Sequence, residues 1–340
     1  MRQKRPMPTS LLPASPSPTP SSPPLGPASP AGDAARRLPV VDAARGVALL
    51  AMAVYHACWD LSFLGLATFD LLGDPLWLAA RTAILGSFLL LAGVSFVLAA
   101  DRGLDRRRFL GRLARLAAAA AAVSAVSYAL FPQSPIFFGV LHHLAVASLL
   151  GLLVLRLPWP ATLALGLAVI AAGRTVALAP FDAPWLRWVG LMTFAPESND
   201  YVPLFPWFGG VLIGIALGRL WLPRLKAPPS RPGAVGRGFA WAGRHSLAVY
   251  LIHQPVLFGA LSLVALGIGV EAPDVRNFLE SCTASCVQSG GEAAPCTASC
   301  RCVAQELDRA GLWQDFLGDR LDAAGRTGFQ ATLLRCGEAG

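Results

Sequence analysis

The sequence predicts an all-α protein: a polytopic transmembrane helix bundle of about seven spans, followed by a small cysteine-rich helical C-terminal tail. Composition gives the first reason, because 54% of the 340 residues are hydrophobic and only 14% are charged. A soluble domain carries about 25% charged residues, and a mean hydropathy of +0.54 is typical of integral membrane proteins. The other two reasons are a series of long apolar runs and the crowding of six of the seven cysteines into the last sixty residues.

The net charge of +8 does not indicate a nucleic-acid partner. Arg and Lys lie in short segments between the apolar runs rather than on one basic face, so membrane topology explains them better. We therefore expect a lipid bilayer as the partner surface and no nucleic acid.

Residues 1–38 precede the first apolar run and are rich in Pro, Ser and Ala. A segment of this composition cannot bury enough apolar surface to fold, so we expect it to be disordered. It lacks the continuous apolar core of a cleavable signal peptide, and we expect the first apolar helix to remain as a membrane anchor.

The next domain, residues 39–270, contains the apolar runs that are candidates for membrane spans. The third and fifth are short or ambiguous. The seven runs are 42–64, 76–100, 114–131, 136–155, 161–179, 202–221 and 246–270.

The loops between these runs predict an orientation. Every strongly basic segment falls on one side, including 101–115 and 219–245, whereas the alternate loops carry only Arg187. By the positive-inside rule the N-terminus is cytoplasmic and the C-terminal tail lies outside, in the periplasm if this is the inner (plasma) membrane. An odd number of spans agrees with that arrangement.

The polar tail, residues 271–340, holds the six clustered cysteines. An even set in an exported segment indicates disulfides, and each C-x3-C pair would lie on one face of a short helix, forming a stapled hairpin. A zinc site of four thiolates is the alternative, which a cytosolic tail would favour; with the tail outside, no metal is expected. Fifteen pairings are possible among Cys282, Cys286, Cys296, Cys300, Cys302 and Cys336.

The first span carries four ionisable residues on an otherwise apolar helix: Asp42, Arg45, His56 and Asp60. The eleven-residue step from Arg45 to His56 turns the helix by about 1100°, so both lie on nearly one face, roughly 16 Å apart. Asp42 and Asp60 fall within one turn of them. Ionisable groups inside a membrane are functional candidates. Helix-end charges and a core histidine are the alternative interpretation.

These residue types indicate particular roles. A desolvated histidine oriented by a carboxylate is suited to general-base catalysis, so His56 and Asp60 are the catalytic candidates. A guanidinium stays charged and offers a fork of donors, so Arg45, with Asp42 beside it, is the candidate for binding the phosphates of a cofactor.

Further polar clusters open later spans. His142 and His143 begin the fourth, and Asp200, Tyr201 and Trp207 lie near two helix-breaking prolines at the sixth. A broken helix is tolerated where it lines a cavity, so these residues could contact an acceptor; interfacial anchoring is the alternative for Tyr201 and Trp207. His253 in the seventh span either faces the site or makes an interhelical hydrogen bond.

Four motifs occur in order over residues 38–265: DAARGVALLAMAVYH, FFGVLHHLA, DYVPLFPWFGG and GRHSLAVYLIHQP. Together they resemble the bacterial relatives of heparan-alpha-glucosaminide N-acetyltransferase, within the wider class of transmembrane acyltransferases. The resemblance implies an integral membrane enzyme that moves an acyl group from cytoplasmic acyl-CoA, here acetyl-CoA, to a sugar on the far side. It also implicates a histidine of the first conserved helix, which points to Arg45 and His56.

The chain departs from that family in two respects. The family's lysosomal enzyme is longer with more spans, and the cysteine-rich tail lies outside the resemblance, so a heparan acceptor is not implied. We expect a glycan or lipid-linked sugar as acceptor. Two alternatives are a transporter or flippase lined by the same polar residues and a non-catalytic scaffold whose tail binds a partner.

Overall fold

The computed structural model describes residues 38–225 and 233–337. Within these ranges the chain is helical, with two short 3₁₀ segments and no strand, which confirms the predicted all-α class. The disorder expected for residues 1–38 concerns residues that, apart from Leu38, lie outside the described part.

Twelve α-helices make up this part of the chain. In order they are α1 Pro39–Phe63, α2 Pro75–Asp101, α3 Arg106–Leu130, α4 Val140–Val154, α5 Trp159–Thr175, α6 Leu204–Leu225, α7 Ala234–Arg244, α8 Ser246–Gly267, α9 Pro273–Gln288, α10 Ala293–Arg309, α11 Trp313–Leu317 and α12 Ala323–Gly337.

Five helices of the described chain, namely α1, α2, α3, α6 and α8, are long and apolar enough to cross a membrane. The chain is therefore an integral membrane protein, but the predicted count of seven spans is not confirmed. Helices α4 and α5 have 15 and 17 residues, or about 23 and 26 Å at 1.5 Å per residue, less than the roughly 30 Å of a hydrocarbon core.

The predicted start of the third span differs most from the structure, because α3 begins eight residues earlier than residue 114. Asp105 is the reason: its carboxylate accepts hydrogen bonds from the backbone N–H groups of Arg107 and Arg108. This N-cap satisfies otherwise unpaired helix donors and allows the helix to start within the basic segment.

Small residues set the closest helix contacts. The position of a Cβ on Gly214 of α6 would lie 2.1 Å from the Leu90 carbonyl oxygen of α2, and one on Gly93 of α2 would lie 2.2 Å from the Val211 carbonyl oxygen of α6. The two backbones touch because neither glycine has a side chain, as in other small-residue helix pairs.

Helices α1 and α7 make a second glycine contact. A Cβ on Gly46 would lie 2.1 Å from the Phe239 carbonyl oxygen, and one on Gly243 would lie 1.8 Å from that of Asp42. Residue numbers rise in α1 as they fall in α7, so the two helices run antiparallel. This contact brings the end of α7 beside Arg45.

The buried core of the bundle joins α2, α4, α5 and α6, with Leu89, Leu212 and Ile215 fully buried. A smaller cluster packs α3 and α4 against the first turns of α8, through Leu116, Leu141 and residues around Tyr250. Together they fix α8 beside α1, where the polar side chains meet.

The C-terminal tail is a small helical unit held by three disulfides, which confirms the prediction for its six cysteines. Cys282 bonds to Cys300 and Cys286 to Cys296, so each C-x3-C pair staples α9 to α10 as an antiparallel hairpin. The remaining bond, Cys302 to Cys336, ties α10 to α12.

A separate apolar core supports the tail around Leu307 and Trp313. The tail contacts the bundle where Arg276 of α9 donates a 2.5 Å hydrogen bond to the carbonyl oxygen of Phe63. A cation at a helix C-terminus is favourable because the last carbonyls carry partial negative charge.

Candidate active site

Arg45 lies where α1, α2 and α7 meet. Its guanidinium donates to the hydroxyl of Ser95 at 2.6 Å, to the Asp42 carboxylate at 3.3 Å and to the carbonyl oxygen of Gly243 at 3.3 Å. Asp42 is thus the partner that the three-residue spacing predicted. The contacts to Ser95 and Gly243 join distant parts of the chain, so Arg45 also fixes the junction of three helices.

Arg112 of α3 lies near this junction. The charges of Arg45 and Arg115 both act electrostatically on Arg112. Among the residues that the structure describes, Arg112 makes no hydrogen bond or ion pair of its own. Like charges gathered in one place repel, and a bound polyanion would relieve that repulsion.

His56 lies on α1 eleven residues after Arg45 and faces α8. Its ring lies 5.3 Å from that of His253, measured between ring centroids. His253 Nδ1 lies 2.8 Å from the Tyr250 carbonyl oxygen, and since a carbonyl only accepts, the proton is on Nδ1. The lone pair is therefore on His253 Nε2, a buried atom without a partner in the described chain.

One turn beyond His56, Asp60 is fully buried and accepts a hydrogen bond of 2.7 Å from the side-chain amide of Gln254. No hydrogen bond joins Asp60 to His56 in the described residues, so the partner expected from spacing alone is not the one observed. Asp60 Oδ2 and Gln254 Oε1 are also buried, and neither has a partner among the described residues. Such atoms are rare in folded proteins and are common where a ligand or water binds.

A line of contacts continues from His253 toward α4. The rings of His253 and Tyr250 are 5.9 Å apart, and the Tyr250 hydroxyl interacts with the Asp200 carboxylate. Asp200 also accepts from the backbone N–H of Val140 at 3.0 Å, capping α4 from a distant segment. Burial raises the pKa of Asp200, and these two interactions oppose that shift.

The two histidines of α4 have different surroundings. His142 accepts from Gly139 N–H through Nδ1 and contacts the Ser124 hydroxyl through Nε2 at 3.3 Å, so both ring nitrogens are used. His143 is fully buried, with Nδ1 3.2 Å from the Val202 carbonyl oxygen and Nε2 unpartnered in the described part.

Tyr201 and Trp207 do not point to a single site. Tyr201 donates to the carbonyl oxygen of Arg187 at 2.7 Å, and its ring lies 5.4 Å from that of Phe137. Burial raises the pKa of Tyr201 to about 12, so the hydroxyl remains a donor at neutral pH. Trp207 packs against the apolar core of the bundle.

The structure therefore brings His56, Asp60 and His253 together where α1 meets α8, with Tyr250 and Asp200 next in line, and leaves Arg45 at the far end of α1. Sequence reasoning put Tyr250 on one helical stripe with His253 and gave an interhelical hydrogen bond as the alternative for His253 and Gln254, but it assigned no role to Arg112. Arg112 lies within the basic segment 101–115, which was interpreted from the sequence only as an indicator of membrane orientation.

Within the described ranges, no group of three His, Cys, Asp or Glu side chains is placed to hold a metal ion. A family model described as "Heparan-alpha-glucosaminide N-acetyltransferase, catalytic" matches residues 37–255. Comparison with curated proteins and with solved structures finds no match.

Proposed function

Since the chain belongs to the heparan-alpha-glucosaminide N-acetyltransferase catalytic family, a family of membrane acetyltransferases, we propose that it moves an acetyl group from acetyl-CoA on the cytoplasmic side to a sugar on the outer side. The acceptor in this proposal is a glycan or a lipid-linked sugar with a free amino or hydroxyl group. The observation that supports it most is the pairing of His56 with His253 beside a buried carboxylate, all within the helices that the family match includes.

The orientation rests on the basic loops. By the positive-inside rule these loops favour an N-terminus in the cytoplasm and a tail in the periplasm. Arg45 then lies near the inner end of α1 and His56 farther out, about 16 Å along the helix. That length is comparable to an extended pantetheine arm, so one helix can bind phosphate at one end and meet the thioester at the other.

The donor phosphates would be held by the basic cluster around Arg45. Three protein partners already occupy the Arg45 guanidinium, whereas Arg112 is unpaired in the described chain and lies within the field of Arg45 and Arg115. In this proposal Arg112 and Arg115 bind the phosphates directly, and Arg45 holds the junction of α1, α2 and α7 together.

His56 would act as the general base. It takes the proton from the acceptor amine or hydroxyl as the lone pair of that group attacks the thioester carbonyl carbon. A new C–N or C–O bond forms, the C–S bond breaks, and the proton passes from the imidazole to the leaving sulfur. A covalent acetyl group on His56 is the other route that the same residue allows.

His253, Asp60 and Gln254 would position this base. The lone pair on His253 Nε2 is the nearest second basic atom, and the Asp60–Gln254 hydrogen bond links α1 to α8 one turn away. The unpartnered oxygens of Asp60 and Gln254 would accept hydrogen bonds from the acceptor. Asp200 and Tyr250 would continue the line of polar residues from His253 toward α4, on the acceptor side.

Acetyl transfer by the purified full chain tests this proposal. Radiolabelled acetyl-CoA is supplied with envelope glycans or lipids as acceptors, and the wild type is compared with His56→Ala. The control is His245→Ala, because His245 is exposed and, among the described residues, its ring bonds only to the carbonyl oxygen of Trp241. We expect loss of transfer in His56→Ala alone; a wild type that moves acetyl-CoA without transferring or hydrolysing it would instead be a transporter.

A further inference from the structure

A cleft lies beyond the reaction centre, where the end of α3 and the segment before α4 meet the long connection between α5 and α6. Its volume is about 380 Å³, close to the lower limit for small-molecule sites. Three aromatic rings, an arginine, a carboxylate and an amide line it: Tyr128, Phe137, Phe194, Arg187, Glu197 and Gln133.

Hydrogen bonds within the connection hold this cleft in shape. The Asp182 carboxylate accepts from both the backbone N–H and the hydroxyl of Thr193 at 2.8 Å. Arg187 Nε donates to the Asp182 carbonyl oxygen at 3.1 Å, and the guanidinium lies 5.2 Å from the centre of the Phe194 ring. A loop fixed in this way loses little freedom when a ligand binds.

The polar groups of the cleft are available to a ligand. Among the described residues, the terminal nitrogens of Arg187 and the carboxylate of Glu197 have no hydrogen bond or ion pair. They offer donors and acceptors in the same small space as Phe137 and Phe194, one face of the Phe194 ring being covered by the Arg187 guanidinium. A pyranose ring carries many hydroxyl groups around an apolar C–H face. Its hydroxyls can bond to the polar groups of the cleft while its C–H face packs against the aromatic rings.

The cleft is also connected to the candidate active site. Phe137 is part of its wall, and its ring lies 5.4 Å from that of Tyr201, the neighbour of Asp200. Asp200 interacts with Tyr250, whose ring centroid lies 5.9 Å from that of His253. A glycan held in the cleft therefore lies against the same line of polar residues that leads to His56.

We propose that this cleft binds a pyranose ring of the acceptor glycan, other than the one that is acetylated, and so selects the acceptor. The role as an acceptor subsite rests on the proposed function, whereas binding of a saccharide does not. Phe194 supplies the ring face that Arg187 does not cover, and Arg187 and Glu197 bind the hydroxyls.

Saccharide binding without donor tests the cleft separately from catalysis. Cellotetraose and a glucosamine tetrasaccharide serve as probes, titrated by calorimetry into the full chain carrying His56→Ala, so that no transfer occurs. Phe194→Leu in this background is expected to raise the Kd of the bound probe about fivefold or more. Phe131→Leu is the matched control, since Phe131 is exposed to a similar degree at the end of α3 but does not line the cleft.

Binding of either saccharide that weakens with Phe194→Leu and not with Phe131→Leu supports the proposal. Absence of binding by both probes, or equal Kd values in the two variants, overturns it. Saturation-transfer NMR on the same samples reports whether the C–H face of the sugar contacts protein. If binding behaves as expected while the wild type transfers no acetyl group, the proposed enzyme activity fails and the cleft remains a saccharide site.

Discussion

Gln254 links the two polar helices at the residue scale. Its side-chain amide donates to Asp60, a residue with no exposed surface, and this bond spans 194 positions of the sequence. A buried polar group that loses its only partner retains the cost of leaving water. The Asp60–Gln254 bond therefore couples the stability of the α1–α8 contact to the geometry of the site.

Substitution of Asp60 tests this link. Asp60→Ala leaves the Gln254 amide without an acceptor, and we expect the free energy of unfolding to fall by about 1–3 kcal/mol. Asp60→Asn keeps an oxygen acceptor in the same place, so its free energy of unfolding is expected to fall by less. Thermal unfolding of the detergent-purified variants measures both, and an Asp60→Ala protein as stable as the wild type would show that the bond contributes nothing.

Part of the candidate site could be predicted from the sequence at this scale. The polar stripe on α1 was visible because charged residues are rare in an apolar helix, so Arg45, His56 and Asp60 stood out. Which side chains meet across helices was not visible. Ser95 and Gln254 are ordinary polar residues in their own segments, and their importance comes from tertiary contacts with Arg45 and Asp60.

Close helix packing is the main feature at the element scale. Helices α1 and α7 touch through their backbones at Gly46, and α2 and α6 do so at Gly93 and Gly214. Lipid tails are as apolar as the side chains, so association in a bilayer depends on such contacts rather than on exclusion of water. The junction around Arg45 exists because α7 comes this close to α1.

A single added methyl group tests that dependence. Gly46→Ala would place its Cβ 2.1 Å from the Phe239 carbonyl oxygen, and we expect a loss of about 1–3 kcal/mol in the free energy of unfolding. Gly86→Ala is the matched control because no atom lies within 4 Å of its added Cβ. Equal thermal unfolding temperatures for the two variants would contradict the close-packed junction.

Element positions were more predictable than element lengths. Hydrophobic runs predicted a helix at each of the seven places, because an apolar segment in a bilayer must form its own backbone hydrogen bonds. The positions of the helix ends depended on side-chain caps and backbone conformation, which hydropathy does not record. The Asp105 cap extended α3, the extended backbone at Gly139 delayed the start of α4 to Val140, and α5 begins at Trp159, two residues before the predicted 161.

The whole molecule combines a helical bundle with a tail that the family match does not include. The match ends at residue 255, whereas the three disulfides lie between Cys282 and Cys336. The twin C-x3-C spacing was enough to predict a stapled hairpin, because it puts both cysteines of each pair on one helical face. The pairing itself needed the fold, since spacing permits fifteen arrangements.

Thiol labelling of intact cells tests the orientation of the molecule. With the tail outside, a membrane-impermeant maleimide should modify its six cysteines only after an impermeant reductant has opened the disulfides. Cys58, the unpaired cysteine of α1, serves as the internal control and should react only after the membrane is solubilised. Tail cysteines that react only after lysis would place the C-terminus in the cytoplasm and reverse the proposed direction of transfer.

The central claim is that His56 performs the transfer while the basic cluster binds the donor. The most direct measurement compares, in the same purified His56→Ala protein, the Kd for acetyl-CoA by calorimetry and the rate of acetyl transfer. We predict a Kd equal to that of the wild type and no detectable transfer, because the substitution removes the base and leaves Arg112 and Arg115 in place. Transfer at the wild-type rate by His56→Ala would contradict the account.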